Sequence, residues 1–158
     1  IVHPMEAGAI AASVTSDKEI ISAAILHDTL EDTSVTPSEI EREFGKEVLR
    51  LVESDSEDKR EDLPPEQTWK IRKQETVDYL KNEADYKEKI IALSDKLSNI
   101  RSIYRDYQKI GDDLWNRFNQ KDKNEHAWYY KSFVETLSEL DVTAAYKEYC
   151  ELVRKIFG

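Results

Sequence analysis

A chain of 158 residues is long enough to bury a sizeable hydrophobic core. Only four glycines and four prolines, with abundant Glu, Lys, Leu and Ile, predict an all-α fold in which residues 1–158 form one compact helical bundle. The formal net charge of −10 disfavours a surface that coats a nucleic acid polymer. No apolar run approaches a membrane span, no signal-peptide pattern is present, and the lone Cys150 excludes an internal disulfide. We therefore expect a cytoplasmic protein with no membrane partner.

Helix signals begin early in the chain. Ser16–Glu19 is typical of a capping box that opens the helix leading to His27. Thr36–Glu39 is a second capping box with proline at the first helical position, and Gly45 is expected to end its helix. The acidic, polar stretch from Ser54 to Pro65 predicts a loop. A solvated connection and a mobile flap over a site both fit that composition.

Apolar positions that recur every three to four residues predict helices over 69–80, 86–110, 125–140 and 142–157. The helix over 86–110 is the longest, and it carries a polar line of short side chains beside its core stripe. That line consists of Asp95, Asn99 and Ser102. We expect this helix to place one flank in the core and another along a cleft.

The densest cluster of reactive side chains lies in six consecutive residues. It holds one imidazole and three carboxylates: His27, Asp28, Glu31 and Asp32. On a single helix these side chains share one flank, and carboxylates so close repel one another unless a cation holds them. Nitrogen and oxygen donors without a thiolate suit Mn²⁺, Fe²⁺, Zn²⁺ or Mg²⁺. A capping acid beside a satisfied core histidine is the alternative, but the helix dipole disfavours acids at a C-terminal end.

Two further residues complete a recognisable pattern. His3 precedes Pro4, so its backbone is expected to be extended, and Asp95 lies within an otherwise buried helix. The order His3, His27-Asp28, Asp95 resembles the H…HD…D signature of the HD superfamily. The context is similar to that of RelA/SpoT-like guanosine polyphosphate hydrolases, which share the His-Asp-Thr-x-Glu-Asp-Thr run that begins here at His27. The resemblance covers roughly residues 1–110, a motif-bearing core, and residues 111–158 are left as C-terminal helices.

The resemblance implies a helical bundle of the HD-domain type that binds one divalent metal, most often Mn²⁺. It assigns four residues of this chain as the metal ligands: His3, His27, Asp28 and Asp95. Glu31 and Asp32 match the acidic pair that orients and activates the attacking water and assists proton transfer.

The same resemblance implies contacts with a nucleotide. Asn99 matches a residue near the sugar or phosphates, and Ser102 lies beside it. Lys59 and Arg101 are candidate neighbours for a polyanion, although such side chains are more often solvated charges. The basic pair and Pro-Tyr lead-in that precede the first histidine in that family are absent here. We therefore expect a further N-terminal segment to precede Ile1.

The predicted reaction is the hydrolysis of the 3′-pyrophosphate of guanosine tetra- or pentaphosphate, which yields GDP or GTP and pyrophosphate. Hydrolysis of another phosphorylated nucleotide would use the same ligands with a different base pocket. A non-catalytic nucleotide sensor or partner-binding bundle is the alternative from another class, and the intact pair Glu31 and Asp32 disfavours it. Trp128, Tyr130 and Phe133 fit either a homo-oligomer interface or core packing.

Overall fold

The computed structural model describes residues 1–60 and 62–158, and within them the chain is helical and forms no strand. The α-helices, in chain order, are α1 (Val2–Val14), α2 (Lys18–Leu26), α3 (Thr29–Asp32), α4 (Pro37–Phe44), α5 (Lys46–Asp55), α6 (Pro65–Asn82), α7 (Tyr86–Ile110), α8 (Lys123–Thr136) and α9 (Ala144–Phe157). This confirms the predicted all-α fold. Among the described helices, none is both long and apolar enough to cross a bilayer.

Helix α7 forms the centre of the bundle, with α1, α2, α5 and α9 packed around it. It begins where predicted because Asp85 and Glu88 form a capping box, in which each side chain accepts a hydrogen bond from the other residue's backbone N–H. It ends at Gly111, whose positive φ of 58° suits a glycine. Leu93 and Leu97 are fully buried, and each such side chain contributes about 1.5–3 kcal/mol of hydrophobic stabilisation.

The C-terminal helices share this core. Phe133 is fully buried, Tyr130 is nearly so, and Trp128 packs against the same hydrophobic cluster. Two 3₁₀ segments, Gly111–Arg117 and Ser138–Leu140, connect these helices to α7 and to each other. The aromatic side chains of α8 are therefore accounted for by packing within the chain.

Close packing of α1 against α2 positions the start of the chain. A Cβ atom added at Gly8 would lie 2.4 Å from Cγ1 of Ile25, so only glycine permits this approach of the two helices. The crossing brings the first turn of α1, which carries His3, towards the end of α2, where His27 follows.

Three local predictions are wrong. His3 is helical rather than extended because α1 begins at Val2, and Pro4 is tolerated in a first turn whose N–H groups lack intrahelical partners in any case. The cap of α2 is Asp17, whose side chain accepts from the Glu19 N–H, so Ser16 forms no capping box. The predicted loop from Ser54 to Pro65 is shorter, since α5 runs to Asp55, and its residue 61 lies outside the described residues.

The predicted single helix through the acidic run is also wrong. Helix α2 ends at Leu26, and α3 begins two residues after His27, at Thr29. The His27 ring hydrogen-bonds the Ala24 carbonyl oxygen at 2.7 Å, the oxygen that the Asp28 N–H would contact in a continuous helix. The polar residues therefore flank a turn, and the two distal acids lie in α3, a single helical turn that ends at Asp32.

Candidate metal centre

Four donor atoms from three parts of the chain converge at one point. Nε2 of His3 lies 3.0 Å from Nε2 of His27, 3.1 Å from Oδ1 of Asp95 and 3.6 Å from Oδ2 of Asp28. Nε2 of His27 lies 3.2 Å from Oδ2 of Asp28 and 3.4 Å from Oδ1 of Asp95. Helix α1, the turn after α2 and the centre of α7 thus each supply part of one cluster.

Both histidines direct the same nitrogen to the centre of this cluster. Nδ1 of His27 bonds the Ala24 carbonyl, and because a carbonyl only accepts, Nδ1 carries the proton in the neutral ring. Nδ1 of His3 faces the Ser98 hydroxyl at 2.8 Å. The Nε2 lone pairs then face each other and two carboxylate oxygens, an arrangement of acceptors that needs a cation or a proton between them.

The spacing of the donors fits a divalent metal. Octahedral coordination with bonds of about 2.1 Å places neighbouring donors about 3.0 Å apart, close to the distances between these atoms. His nitrogen and carboxylate oxygen suit Mn²⁺, Fe²⁺, Zn²⁺ or Mg²⁺. His3, His27 and Asp28 are therefore able to hold such an ion, and Oδ1 of Asp95 lies within reach of the same point because it faces both histidines.

Without a metal, a proton fills the electrostatic role of the cation. Burial alone would lower the pKa of His27, which is only 1 % exposed, but hydrogen bonds and charges from Asp28 and Asp95 outweigh it and raise the pKa to about 11. Burial likewise opposes ionisation of Asp95, yet Lys96 and the two histidines hold its pKa well below the ordinary value. The site is therefore built for one concentrated positive charge.

The predicted acidic pair lies beside the loop that follows α5. Glu31 accepts a hydrogen bond from the Glu57 backbone N–H at 2.8 Å, and its second oxygen lies 3.2 Å from Nζ of Lys59. The same ammonium lies 3.5 Å from Oδ1 of Asp32. The structure thus brings Lys59 to both acids, and Glu31 and Lys59 line a cavity of about 530 Å³.

Two predicted substrate residues, Asn99 and Ser102, line a different cavity from the one lined by Glu31 and Lys59. Asn99 donates from Nδ2 to Oδ1 of Asp95 at 2.7 Å, the oxygen that faces both histidines. Asn99 and the exposed Ser102 line a second cavity, of about 300 Å³, together with Arg117 and Phe118. Asn99 therefore joins the donor cluster to this cavity.

Arg101 is placed differently from the other predicted substrate residues. Its Nε and Nη2 each donate to the Glu148 carboxylate at 2.7 Å, and its Nη1 donates to Oε1 of Glu6 at 3.2 Å. The guanidinium therefore lies between carboxylates of α1 and α9.

Sequence reasoning missed Asp55, the last residue of α5. One of its oxygens lies within 4.8 Å of the donor atoms of both His27 and Asp95. Burial and the charge of Asp95 raise the pKa of Asp55 to about 7. Its signal was the helical spacing from the buried Leu51 and Val52, which places Asp55 on the inward side of α5, although its composition assigned it to a loop.

Comparison with known proteins gives the same family. Residues 1–122 match the model of the HD domain. A guanosine-3′,5′-bis(diphosphate) 3′-pyrophosphohydrolase of Aquifex aeolicus is 36% identical over 104 residues, which is 66% of this chain and 14% of that protein. The zebrafish (Danio rerio) enzyme of the same name, MESH1, is 38% identical over 90 residues, 57% of this chain and 46% of that protein. The chain thus spans less than half the length of these curated relatives.

Solved structures extend the comparison to the whole fold. The structure of lmo0812 from Listeria monocytogenes EGD-e superposes with a TM-score of 0.84 at 28% identity and covers 98% of both chains. A metazoan ortholog of SpoT, described as hydrolysing ppGpp, superposes with a TM-score of 0.74 at 24% identity, over 98% of this chain and 79% of its own. At that identity the second match speaks for the fold alone. Since the family model spans most of the sequence and the donor cluster follows its signature, this chain belongs to the HD-domain family.

Proposed function

We propose that residues 1–158 form one phosphohydrolase domain that removes the 3′-pyrophosphate of guanosine tetra- or pentaphosphate, releasing GDP or GTP and pyrophosphate. The observation that carries the proposal is the convergence of the donors of His3, His27, Asp28 and Asp95, with a separate acidic pair, Glu31 and Asp32, that shares the ammonium of Lys59. Relatives that carry the name of this reaction are 36% and 38% identical to this chain over 104 and 90 residues.

Each group has a role in this proposal. The four donors hold one divalent ion, which when bound polarises a phosphoryl oxygen and lowers the pKa of water. Glu31 and Asp32 orient the attacking water and accept its proton. Lys59, which already faces both acids, neutralises part of the polyphosphate charge.

Asn99 and Ser102 position the nucleotide in this proposal. Asn99 uses one amide hydrogen on Asp95, which leaves its second N–H and its carbonyl for a sugar or phosphate. Ser102 lies one turn further along α7 and lines the same cavity. These two residues therefore connect substrate position to the donor cluster.

Another phosphorylated nucleotide is the second candidate substrate. The cavity beside Asn99 is lined by Arg117 and Phe118, which lie after residue 110, where the resemblance to guanosine polyphosphate hydrolases ends. Base specificity therefore depends on a part of the chain that the resemblance does not describe. A non-catalytic nucleotide sensor would retain the donors but needs no acidic pair beside them.

The finer expectations stay predictions. They are that the metal is Mn²⁺, that the protein is cytoplasmic, and that it binds neither a nucleic acid polymer nor a membrane, with a homo-oligomer interface as the alternative to core packing for the aromatic residues of α8. Metal-dependent turnover distinguishes an enzyme from a non-catalytic nucleotide sensor, whichever of these predictions hold.

The test is hydrolysis of guanosine tetraphosphate by the Mn²⁺-loaded protein, with GDP and pyrophosphate followed separately. We expect equimolar release of the two products and loss of both in His27→Ala. A metal-loaded, folded protein that releases pyrophosphate from other nucleotides but not from this one would overturn the substrate assignment and leave the phosphohydrolase. A protein that binds nucleotide and metal without turnover would support the sensor.

A further inference from the structure

A continuous chain of hydrogen bonds leads outward from His3. Nδ1 of His3 meets the Ser98 hydroxyl at 2.8 Å, and that hydroxyl donates to Oε2 of Glu6 at 2.6 Å. The second oxygen of Glu6 accepts from Nη1 of Arg101 at 3.2 Å, and Arg101 forms a bidentate pair with Glu148. The hydrogen bonds therefore run from α1 to α7, back to α1, again to α7 at Arg101, and end on α9.

The direction of these bonds is set by the number of protons available. A hydroxyl has one proton, and Ser98 gives it to the Glu6 carboxylate, which is able only to accept. Ser98 must then accept from His3, so Nδ1 carries the proton and Nε2 presents its lone pair to the donor cluster. If Glu6 no longer accepts, the hydroxyl is free to donate to Nδ1 instead, and the proton of the neutral ring moves to Nε2.

The two histidines are fixed by different means. The tautomer of His27 depends on the Ala24 carbonyl, a backbone group that no substitution removes. The tautomer of His3 depends on side chains, and His3 is held on the first turn of α1 with 29 % of its side chain exposed. His3 is therefore the ligand whose geometry the surrounding side chains control.

Arg101 makes contacts that hold other side chains in place. The three nitrogens of its guanidinium are all engaged, and the planar fork matches Glu148 in the geometry of a strong carboxylate pair. A phosphate would have to displace one of these carboxylates. Arg101 also stabilises the negative charge on Glu6, the charge that fixes the direction of the Ser98 hydroxyl.

We propose that Glu6, Ser98 and Arg101 form a relay, here named the His3 relay, that sets the tautomer and orientation of His3. Arg101 is a positioning residue that acts through Glu6 and does not contact substrate. Glu148 anchors the relay, so the C-terminal helix α9 supports the donor cluster although it contributes no donor to it. This inference rests on the proposed function only in that His3 binds the metal.

The first experiment measures Mn²⁺ affinity of the full chain by calorimetry and by the electron paramagnetic resonance signal of free Mn²⁺. Ser98→Ala and Glu6→Met, which has no acceptor oxygen, are each expected to weaken binding by about 10–100-fold, the usual effect of removing a partner of a ligating histidine. Ser94→Ala is the matched control, because Ser94 is equally buried on α7, one turn earlier, and donates only to the Ile90 carbonyl. Ser98→Thr retains a hydroxyl and is expected to restore most of the affinity.

The second experiment observes His3 directly. Nitrogen-15 chemical shifts of the metal-free protein, recorded at a pH where the ring of His3 is neutral, report which nitrogen carries the proton. We expect Nδ1–H in the wild type and a shift towards Nε2–H in Glu6→Met. This spectrum separates loss of the relay from a general loss of stability, which would not move the proton.

The third experiment separates positioning from substrate contact at Arg101. Arg101→Gln is expected to weaken Mn²⁺ binding while KM for guanosine tetraphosphate at saturating Mn²⁺ stays unchanged. Arg50→Gln, which breaks a comparable arginine cluster with Glu47 and Glu88, is expected to leave Mn²⁺ affinity unchanged.

The outcomes separate this inference from the proposed function. A folded wild-type protein that binds no divalent metal would overturn both the His3 relay and the proposed function. Equal Mn²⁺ affinity in Ser98→Ala and Ser94→Ala overturns the relay alone. A raised KM with unchanged Mn²⁺ affinity in Arg101→Gln makes Arg101 a substrate contact.

Discussion

The donor cluster and the predicted substrate residues are held by the fold in different ways. His27 and Asp95 are buried at a contact between helices, and hydrogen bonds fix their orientation. The substrate residues are spread over two cavities, with Lys59 on an exposed loop and Ser102 on the surface of α7. Burial and hydrogen bonds therefore fix His27 and Asp95, which the partly exposed His3 and Asp28 join, while the substrate side is left adjustable. This difference predicts that metal binding and substrate specificity change independently under mutation.

The largest effect is expected from His27→Ala, which removes the most buried donor. Mn²⁺ affinity should fall by more than the roughly 100-fold that follows loss of a supporting partner, and turnover should become undetectable. Calorimetry and pyrophosphate release measure the two effects. His126→Ala is the control, since His126 is also buried but stacks on Trp115 away from the cluster. Equal loss of metal in both variants would mean that the fold, not the donor, was damaged.

The double variant Glu31→Gln with Asp32→Asn tests whether the acidic pair acts separately from the donor cluster. Both acids lie outside the donor cluster, so Mn²⁺ should bind with nearly wild-type affinity. Turnover should fall by about 10²–10⁴-fold, the usual contribution of a positioned proton acceptor. Metal titration and kcat are compared on the same preparation. Unchanged kcat would remove these acids from the mechanism and point to Asp55 as the acceptor.

The full set of four donors was predicted only through the resemblance to the HD superfamily. The acidic run that begins at His27 is a local signal for a metal site, whereas Asp95 alone, within a buried helix, predicts only a polar residue beside the core. The relay was not predictable in the same way, since Glu6 and Ser98 are 92 residues apart and meet only through the crossing of α1 and α7. Asp55 was missed because its composition resembled the loop that follows it. The structure therefore adds most to the sequence-based prediction where residues distant in the sequence come into contact and where helices end.

A smaller effect is expected from pH: the change in Mn²⁺ affinity per pH unit is smaller than the losses expected in the variants above. The pKa of His27 is about 11 without metal, so near pH 7.5 the ring is charged and must lose a proton before it coordinates. Mn²⁺ affinity should rise about tenfold per pH unit below that pKa. Calorimetry in buffers of different ionisation enthalpy should count about one proton released per metal bound. No proton release at pH 7.5 would contradict the raised pKa.

The metal-free fold should respond to pH with the opposite sign. Because the folded pKa of His27 lies above the ordinary value of 6.5, the folded state binds more protons than the unfolded state between these values. Its stabilising contribution is complete below about pH 6.5 and is lost as the pH rises towards 11. Chemical unfolding of the metal-free protein at pH 6 and pH 9 measures this, and saturating Mn²⁺ should largely cancel the loss, because the metal-bound ring carries no proton to lose.

The smallest effect is expected from Lys59→Met on the substrate side. Lys59 is 41 % exposed, and such ion pairs contribute about 0.2–1 kcal/mol, so KM should rise at most about fivefold and the change should shrink with added salt. Lys70→Met is the control, since Lys70 is similarly exposed but pairs with Glu125 on α8. A fall in kcat without a change in KM would show that Lys59 holds Glu31 and Asp32 in place. Lys59 would then belong to the fixed region of the site, which would extend that region across the loop after α5.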